Sequence, residues 1–595
     1  MRRFLLFIFL STFTFQLSTV LALTIPTGTL YFDNSKTGYN KVCFVYGSDA
    51  NAWTTVQPMT ESTGNVWTVT VNGNQTNVYR FTFVGGDLTA GTFNQTFSAF
   101  KDSVSHQLNL NRTATSELQM NDGDIFVPSS GDNWAQGTWT PYWQWLQEQS
   151  YTPSASPSGT LPIIYVNTQN GQTINDTETQ IPATVYIDSV LAEYPSLGTP
   201  TAPLPATIKG RGNWTWTGFD KKPYKIKFDT KTKVLGMPNN RHWCLMANTD
   251  DYLGFLKMPA GFRISKALGL RWTPRTRPVE FVLNGKYMGL YFLTEHVRIA
   301  GHRVDIKEQA DNETHPDSIT GGWLVEIDNY SSENNITLQE GNGQWIMISL
   351  REPEVLSTKQ RTYLENQMYA INDALYANTD PLPASSISSL IDIDEAAKYY
   401  LVQEIMEDCE SYHGSCFLYK DRDSLGVADK WKFGPVWDFG NAYDRHQETW
   451  IYDNPTFPQY WIGQLATWPE FQQAVKEQWW IYYHTLNDSV RAKIQAFAAS
   501  ITQAAKNDKV VWKDSQGYRD NSNMSSRLSD FLSRYDWRIN WLYSQWGEGI
   551  KPATWDVDLV ESQESRVESK KILRNGQILI ERNNHLYTLS GQLVE

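Results

Sequence analysis

IDEAAKYYLVQEIMEDCESYHGSCFLYKD, residues 393–421, changes its period partway along. Up to about residue 407 apolar residues recur at three and four spacing, which predicts a helix, whereas CFLYKD (416–421) is a short apolar run that reads as a strand. Between them sits EIMEDCE, a dense run of carboxylates. Toward the N-terminus the pattern is strand-like. KKPYKIKF (221–228) alternates, and VEFVLNG (279–285), MGLYFLTE (288–295) and GGWLVEID (321–328) read as strands, with Asn284-Gly285 a hairpin signal. A helix is expected around GFRISKALGL (261–270). Past residue 356 helices dominate: 360–377, 468–486, 489–506 and 526–546, interrupted by a strand-like run at WKFGPVWDFG (431–440). A β-rich half followed by a helix-rich half predicts an α+β arrangement with a cleft between its two lobes.

The regions outside this core differ in composition. Residues 24–127 consist of short alternating runs such as KVCFVYG and VWTVTVNGN, the pattern of a β-sandwich. Residues 128–162 turn toward Ser, Pro, Gly and Trp and read as a linker to a central domain at 163–548. A charged spacer at 549–569 leads to a small β module at 570–595, where Asn575-Gly576 and Asn583-Asn584 divide three short strands. Arg2 and Arg3 precede an apolar run closing on Val20-Leu21-Ala22, which predicts a signal peptide over 1–22 and an exported protein. No other run is long enough to cross a bilayer, so no transmembrane segment is expected in the mature chain. With 51 Lys and Arg against 64 Asp and Glu, the net charge of −13 argues against a nucleic-acid partner. Cys43, Cys244, Cys409 and Cys416 are too scattered for a disulfide framework and read as buried thiols.

IKGRGNWTW (208–216), KKPYKIKFD (221–229), LGMP (235–238), YMGLYFLTE (287–295), GGWLVEID (321–328), the 400–421 stretch and FGPVWDFGNAYDR (433–445) together resemble the spore coat protein H family, the CotH kinases. The resemblance implies an atypical, two-lobed, protein-kinase-like fold that uses ATP and Mg²⁺ or Mn²⁺ to phosphorylate Ser on exported proteins. Phosphoryl transfer needs a cation on the phosphates, carboxylates on the metal and a positioned group at the acceptor hydroxyl. Lys225 and Lys227 lie two apart on one strand, hence on one face, and either suits the phosphates, Lys225 for preference. Asp438, in VWDFG, is the expected metal ligand. Where the family pattern has an Asp and, five residues later, an Asn, this chain has Glu410 and Ser415, with Asp408 the substitute if the loop is shifted. Glu410 and Asp408 are therefore the catalytic candidates and Ser415 a second metal partner. Glu295 and Glu326 end apolar strands, and the resemblance implies that one pairs with the strand lysine. Arg211 and Asn213 are candidates for a phosphate-facing turn, whereas His242, His296 and His413 read as surface or packing residues.

The N-terminal block resembles a family 26 starch-binding module, which implies α-glucan binding through exposed aromatics. Tyr39 and Trp53 are the candidates, and Trp67 reads as core. The ending LYTLSGQLVE resembles the type IX secretion sorting module of the Bacteroidetes, which implies passage through outer-membrane secretion machinery to the surface or medium. Two functions compete at this point. One is an exported kinase; the other is a pseudokinase, degraded at Glu410 and Ser415, acting as a carbohydrate-associated surface protein.

Overall fold

The computed structural model describes residues 23–96 and 123–145 with interruptions, 151–552 apart from short loop segments, and the strands within 570–587. The expected signal peptide and residues 553–569 lie outside the described residues.

The N-terminal block is a β-sandwich. Gly28–Asp33 and Val66–Val71 belong to one sheet, and Val42–Gly47 and Arg80–Gly85 to the other. Phe32, Phe44, Phe81, Phe83 and Phe126 fill the space between them. The sandwich runs past the expected boundary at 127. Gly137–Pro141 pairs with Asp124–Pro128, and Trp139 packs on Phe126 with ring centroids 5.3 Å apart. The alternating apolar content of TWTPYW thus outweighs the Ser/Gly composition around it. Tyr39 is corrected here. It is 7 % exposed, in the sandwich core parallel to Phe32 and over Gly85, so it offers no face to a sugar. Trp53 lies in the strand Ala52–Pro58, with its side chain outside the described residues. Trp67 is buried, as its alternation predicts.

Residues 151–162 also depart from the linker reading, because they are strapped to the central domain. Buried Glu280 accepts from the Ser158 amide at 2.8 Å, the Ser158 hydroxyl at 2.7 Å and the Tyr287 hydroxyl at 2.5 Å. Asn507 exchanges bonds with Ser154 N and Ser156 O, and Leu161 enters the core. Glu280→Ala leaves these donors unpaired, and hydrogen bonds to a charged group are worth about 1.5–3 kcal/mol. The expected result is a urea midpoint lowered by the equivalent of about 2–3 kcal/mol, with faster proteolysis inside 151–162.

The central domain opens with seven strands: β1 (Ile163–Thr168), β2 (Ile181–Asp188), β3 (Leu204–Gly210), β4 (Tyr224–Val234), β5 (Met237–Met246), β6 (Thr276–Leu283) and β7 (Lys286–Glu295). They close into a barrel in the order β1-β2-β3-β4-β5-β7-β6, with β6 and β1 parallel and every other pair antiparallel. Alternation decides what faces inward. Tyr224, Ile226 and Phe228 join the barrel core, so Lys225 and Lys227 point outward together, as predicted. Asn284 and Gly285, at φ +50° and +78°, form the predicted tight turn between β6 and β7.

Helix α1 (Lys257–Ala267) links β5 to β6. A second sheet follows, from β8 (Trp323–Ile327), β9 (Asn335–Gln339), β10 (Trp345–Glu352), β11 (Cys416–Lys420) and β12 (Lys432–Phe433), in the order β9-β10-β8-β11-β12. Helix α2 (Thr358–Leu375) begins in a capping box of Ser357 and Gln360, and α3 (Ala384–Leu390) follows it. Helix α4 (Ile393–Ile405) is capped by Asp392. Helices α5 (Tyr460–Leu465), α6 (Pro469–Ile481), α7 (Asn487–Trp512) and α8 (Met524–Trp546) complete the α+β domain. The C-terminal module has its three strands, Lys570–Arg574, Gln577–Arg582 and His585–Tyr587, paired antiparallel in chain order, and the expected turn pairs between them lie outside the described residues. The protein is therefore multidomain, with a β-rich N-terminal region and a central α+β region. All four cysteines are buried, and none forms a disulfide. Among the described residues no helix is long and apolar enough to cross a membrane.

Candidate functional site

A cavity of about 880 Å³ lies between the barrel and the second sheet with its following loops. Its barrel side is basic. Lys225 reaches it from β4, Arg211 from the turn after β3 and Arg298 from the segment after β7, whereas Lys227 is not among the lining residues. Burial and then the neighbouring cations Lys209, Arg211 and Arg298 lower the Lys225 pKa, with Cys244 acting in the opposite direction. No carboxylate among the described residues forms an ion pair with Lys225, which corrects the expected pairing with a strand-end glutamate. Glu295 is fully buried, takes the Arg275 amide at 3.0 Å and its guanidinium at 3.1 Å, and lies outside this cavity. Glu326 lines the cavity but is held by Arg351, and burial pushes its carboxyl up to about 7. The Arg211 guanidinium lies 5.5 Å from the Trp437 ring centroid. Gly212, at φ +85°, lets the chain turn sharply between Arg211 and Asn213, both at the cavity wall.

The opposite wall is acidic and is built by two loops. Asp438 follows β12 in an irregular segment rather than at the end of a strand. Pro435 has no N–H for a ladder, so pairing stops at Phe433. Asp438 is exposed to the cavity and holds the left-handed conformation, φ +53°. Ser415 (φ +55°) and Asn248 (φ +47°), also in the lining, share that backbone region, which is costly for side chains with a Cβ and clusters at functional sites. The Asp438 loop is tied down from below. The Lys257 ammonium donates to Asp444 at 2.5 Å and to the Gly440 carbonyl at 2.8 Å, and Phe439 packs on α1 where Gly261 leaves room.

Asp250 joins Asp438 at Gly440. A Cβ built on Gly440 would sit 2.2 Å from Asp250 Oδ2 and 3.4 Å from Asp438 Oδ1, so glycine is what lets the two carboxylates converge. Burial and then the Asp438 charge raise Asp250 to about 7. Asp251 instead turns inward, accepting the Leu253 amide at 2.7 Å and the Lys257 amide at 2.8 Å at the start of α1.

Glu410 and Ser415 both line the cavity. Glu410 accepts from Asn441 Nδ2, and burial raises its pKa, with the Tyr330 hydrogen bond opposing. Asp408 does not reach the cavity, which corrects its candidacy. It is 1 % exposed, its backbone forms a bridge to Ala442, and neither carboxyl oxygen makes a well-formed hydrogen bond. Burial first, then Glu410 and Asp438, raise its pKa well above the ordinary value. The rest of EIMEDCE is not a metal cluster. Glu404 pairs with Arg538, and Glu407 accepts the Gln447 amide at 2.6 Å.

Among the described residues no three His, Cys, Asp or Glu side chains are arranged to hold a metal by themselves. Asp438 and Asp250 nevertheless offer hard oxygen donors around a cradle that a Cβ would fill. That suits Mg²⁺ or Mn²⁺, which is commonly bound by one or two carboxylates with phosphates supplying the rest. The sequence reading missed Asp250, Lys257 and Asn441. The doublet Asp250-Asp251 ahead of a helix and the Asn within FGNAYDR were the available signals.

Fold and cavity together define an α+β protein with cations and carboxylates lining one cleft. The chain belongs to the CotH kinase protein family, whose profile matches residues 208–538, more than half of its length. No curated protein matches the chain.

Proposed function

We propose that the protein is an exported, metal-dependent atypical kinase with a two-lobed catalytic domain, transferring the terminal phosphoryl group of ATP to a Ser hydroxyl of an exported protein. The observation that carries this reading is the opposition of Lys225, Arg211 and Arg298 to Asp438 and Asp250 across one cavity. Lys225 and Arg211 bind the phosphates. Asp438 and Asp250, with the Ser415 hydroxyl nearby, hold Mg²⁺ or Mn²⁺, which when bound neutralises charge on the transferring phosphoryl group. Glu410, steadied by Asn441, orients the acceptor hydroxyl and takes its proton. It is one methylene longer than the family's Asp, but it lines the cavity and its raised pKa moves it toward the working range of a base. The family match and the place of Glu410 on the cavity wall favour the active kinase over the pseudokinase.

In the same proposal the signal peptide and the C-terminal module direct export through the outer membrane. The N-terminal sandwich holds an α-glucan through Trp53, which predicts that the full chain is retarded on an α-glucan gel and that Trp53→Ala abolishes the retardation.

The kinase reading is tested by calorimetric titration of ATP with Mn²⁺ or Mg²⁺ into the mature chain, with radiolabel transfer followed on the same sample. Metal-dependent binding with label on protein is the expected result; metal-independent binding or no label overturns it. Gly440→Ala, which drives a methyl group into Asp250, is expected to slow transfer about a hundredfold, the scale of an ångström's misplacement at a reacting centre. Its urea midpoint should stay close to wild type.

A further inference from the structure

The basic end of the cavity contains two histidines that phosphoryl transfer leaves unused. His242 on β5 and His296 just beyond β7 both line the cavity, with ring centroids 6.2 Å apart. In each the Nδ1 atom is buried without a hydrogen-bond partner. Buried polar atoms are nearly always satisfied, so two adjacent orphans on one cavity wall mark a place where a ligand completes the bonding.

The groups facing the pair are cations on each element packed against it: Lys225 and Lys227 on β4, Arg211 on the turn after β3, and Arg298 and Arg303 after β7. Of the carboxylates near this side, Glu352 and Glu295, the latter outside the cavity, are both engaged, and Glu354 also lines the cavity. Glu352 on β10 is 3.7 Å from Arg298, and Glu295 is held by Arg275. Burial and then the surrounding cations hold both rings neutral, His242 down to about 3 and His296 well below its ordinary value. A wall with this excess of positive charge and two unprotonated imidazoles matches a ligand carrying several negative charges close together.

We propose that His242 and His296 seat the polyphosphate of the bound nucleotide, each taking up a proton from solvent as the anion docks and then donating to phosphate oxygens. The proposal rests on the kinase reading above. An adjacent polyanion favours the charged imidazole, and the charged ring gains a partner for the nitrogen left orphaned. It also sets specificity, because a monophosphate brings too little charge to protonate the pair, so triphosphate is preferred over monophosphate. By linkage, a group that binds a proton only in the complex makes affinity rise as pH falls. Over about pH 8 to pH 6 each such proton contributes up to about tenfold per pH unit. Asp250, Glu326 and Glu352 face the same cavity and titrate in that window, as does the terminal phosphate. The informative quantity is therefore the difference between wild type and histidine variants.

The test is calorimetry of Mg-ATP, and separately of inorganic tripolyphosphate, binding to the full chain at about pH 6.5 in two buffers of different ionisation heat. The wild type should take up as many as about two protons more than the His242→Gln/His296→Gln double variant, with each single variant about one proton short of wild type. In the unaltered protein, two imidazole NMR signals should move to the charged form on saturation with tripolyphosphate, a reading that does not depend on the variants folding. Equal proton uptake in wild type and double variant, or unmoved imidazole signals with the anion bound, overturns the proposal. ATP binding with that negative result leaves the kinase reading intact and removes this one. Tripolyphosphate binding with histidine protonation but no ATP binding overturns the kinase reading and leaves the pair as a seat for polyphosphate without a nucleoside, and binding of neither anion overturns both.

Discussion

Asp438→Ala is expected to lower kcat/KM for phosphoryl transfer by about a hundred- to a thousandfold, the range seen when one preorganised electrostatic group is removed from a reacting centre. The fold should survive it. Asp438 is exposed to the cavity, and its loop is held by contacts that the substitution does not touch: Lys257 to Asp444 and Gly440, Phe439 against Gly261, and the Asp408–Ala442 bridge. What disappears is a carboxylate at φ +53° beside Asp250. The loss therefore belongs in metal-dependent nucleotide affinity and in kcat, with the urea midpoint unchanged or raised. A second consequence has a definite sign. The Asp438 charge is, after burial, the main influence holding Asp250 at about 7, so in the variant Asp250 should ionise at lower pH. Carboxyl NMR titration reads that shift directly. A kcat/KM within about threefold of wild type would remove Asp438 from the metal site and with it the main support for the kinase reading.

Lys225, Arg211, Asp438, Glu410 and Ser415 were legible in the sequence because each sits in a motif or a regular alternation. Strand parity alone puts Lys225 and Lys227 outside the barrel, since a slip of one residue would bury both. What could not be read were positions set by long-range closure. The β4–β5 pairing sets Lys227 opposite His242 and Lys225 opposite Cys244, and the two histidines meet only once β5 has paired with β7. Asp250 and Lys257 lie in the aperiodic entry to α1, where no spacing rule applies. Local pattern also misled in places. WKFGPVWDFG has strand-like composition, yet apart from an isolated bridge of Trp431 to Ile391 only Lys432–Phe433 forms a strand, because Pro435 lacks the donor that would carry it on. Tyr39 stands among turn residues but folds back over Gly85, a contact that no short window contains. The linker composition of 151–162 is genuine, but composition carries no information that Glu280, over a hundred residues on, holds Ser158.

Arg538→Ala is expected to cost about 3–5 kcal/mol of stability, because it strands a buried charge. Arg538 and Glu404 are both fully buried and paired. The guanidinium also donates to the Glu404 carbonyl at 2.7 Å and to the carbonyls of Gln447 and Thr449 at 3.2 and 2.9 Å, and it stacks 4.2 Å from the Trp541 ring. One side chain from α8 thus fixes the end of α4, from which the Glu410 loop departs, and the 447–449 segment. Without it the Glu404 carboxylate keeps only the Tyr400 hydroxyl at 2.5 Å and the Ile451 amide at 3.2 Å. Lysine would restore the charge but not the fork of donors, so Arg538→Lys should recover only part of the loss. The pH dependence separates lost charge pairing from lost packing. Burial raises the Glu404 pKa even with Arg538 opposing it, and removing Arg538 raises it further. A carboxyl with a raised folded pKa penalises the fold only where it must ionise. The deficit of Arg538→Ala should therefore be largest near about pH 8 and shrink toward pH 5 as Glu404 protonates. Urea unfolding at the two pH values measures this. A deficit equal at both would assign the effect to lost packing on Trp541 and lost carbonyl contacts, and the buried ion pair would no longer explain how the Glu410 loop is held.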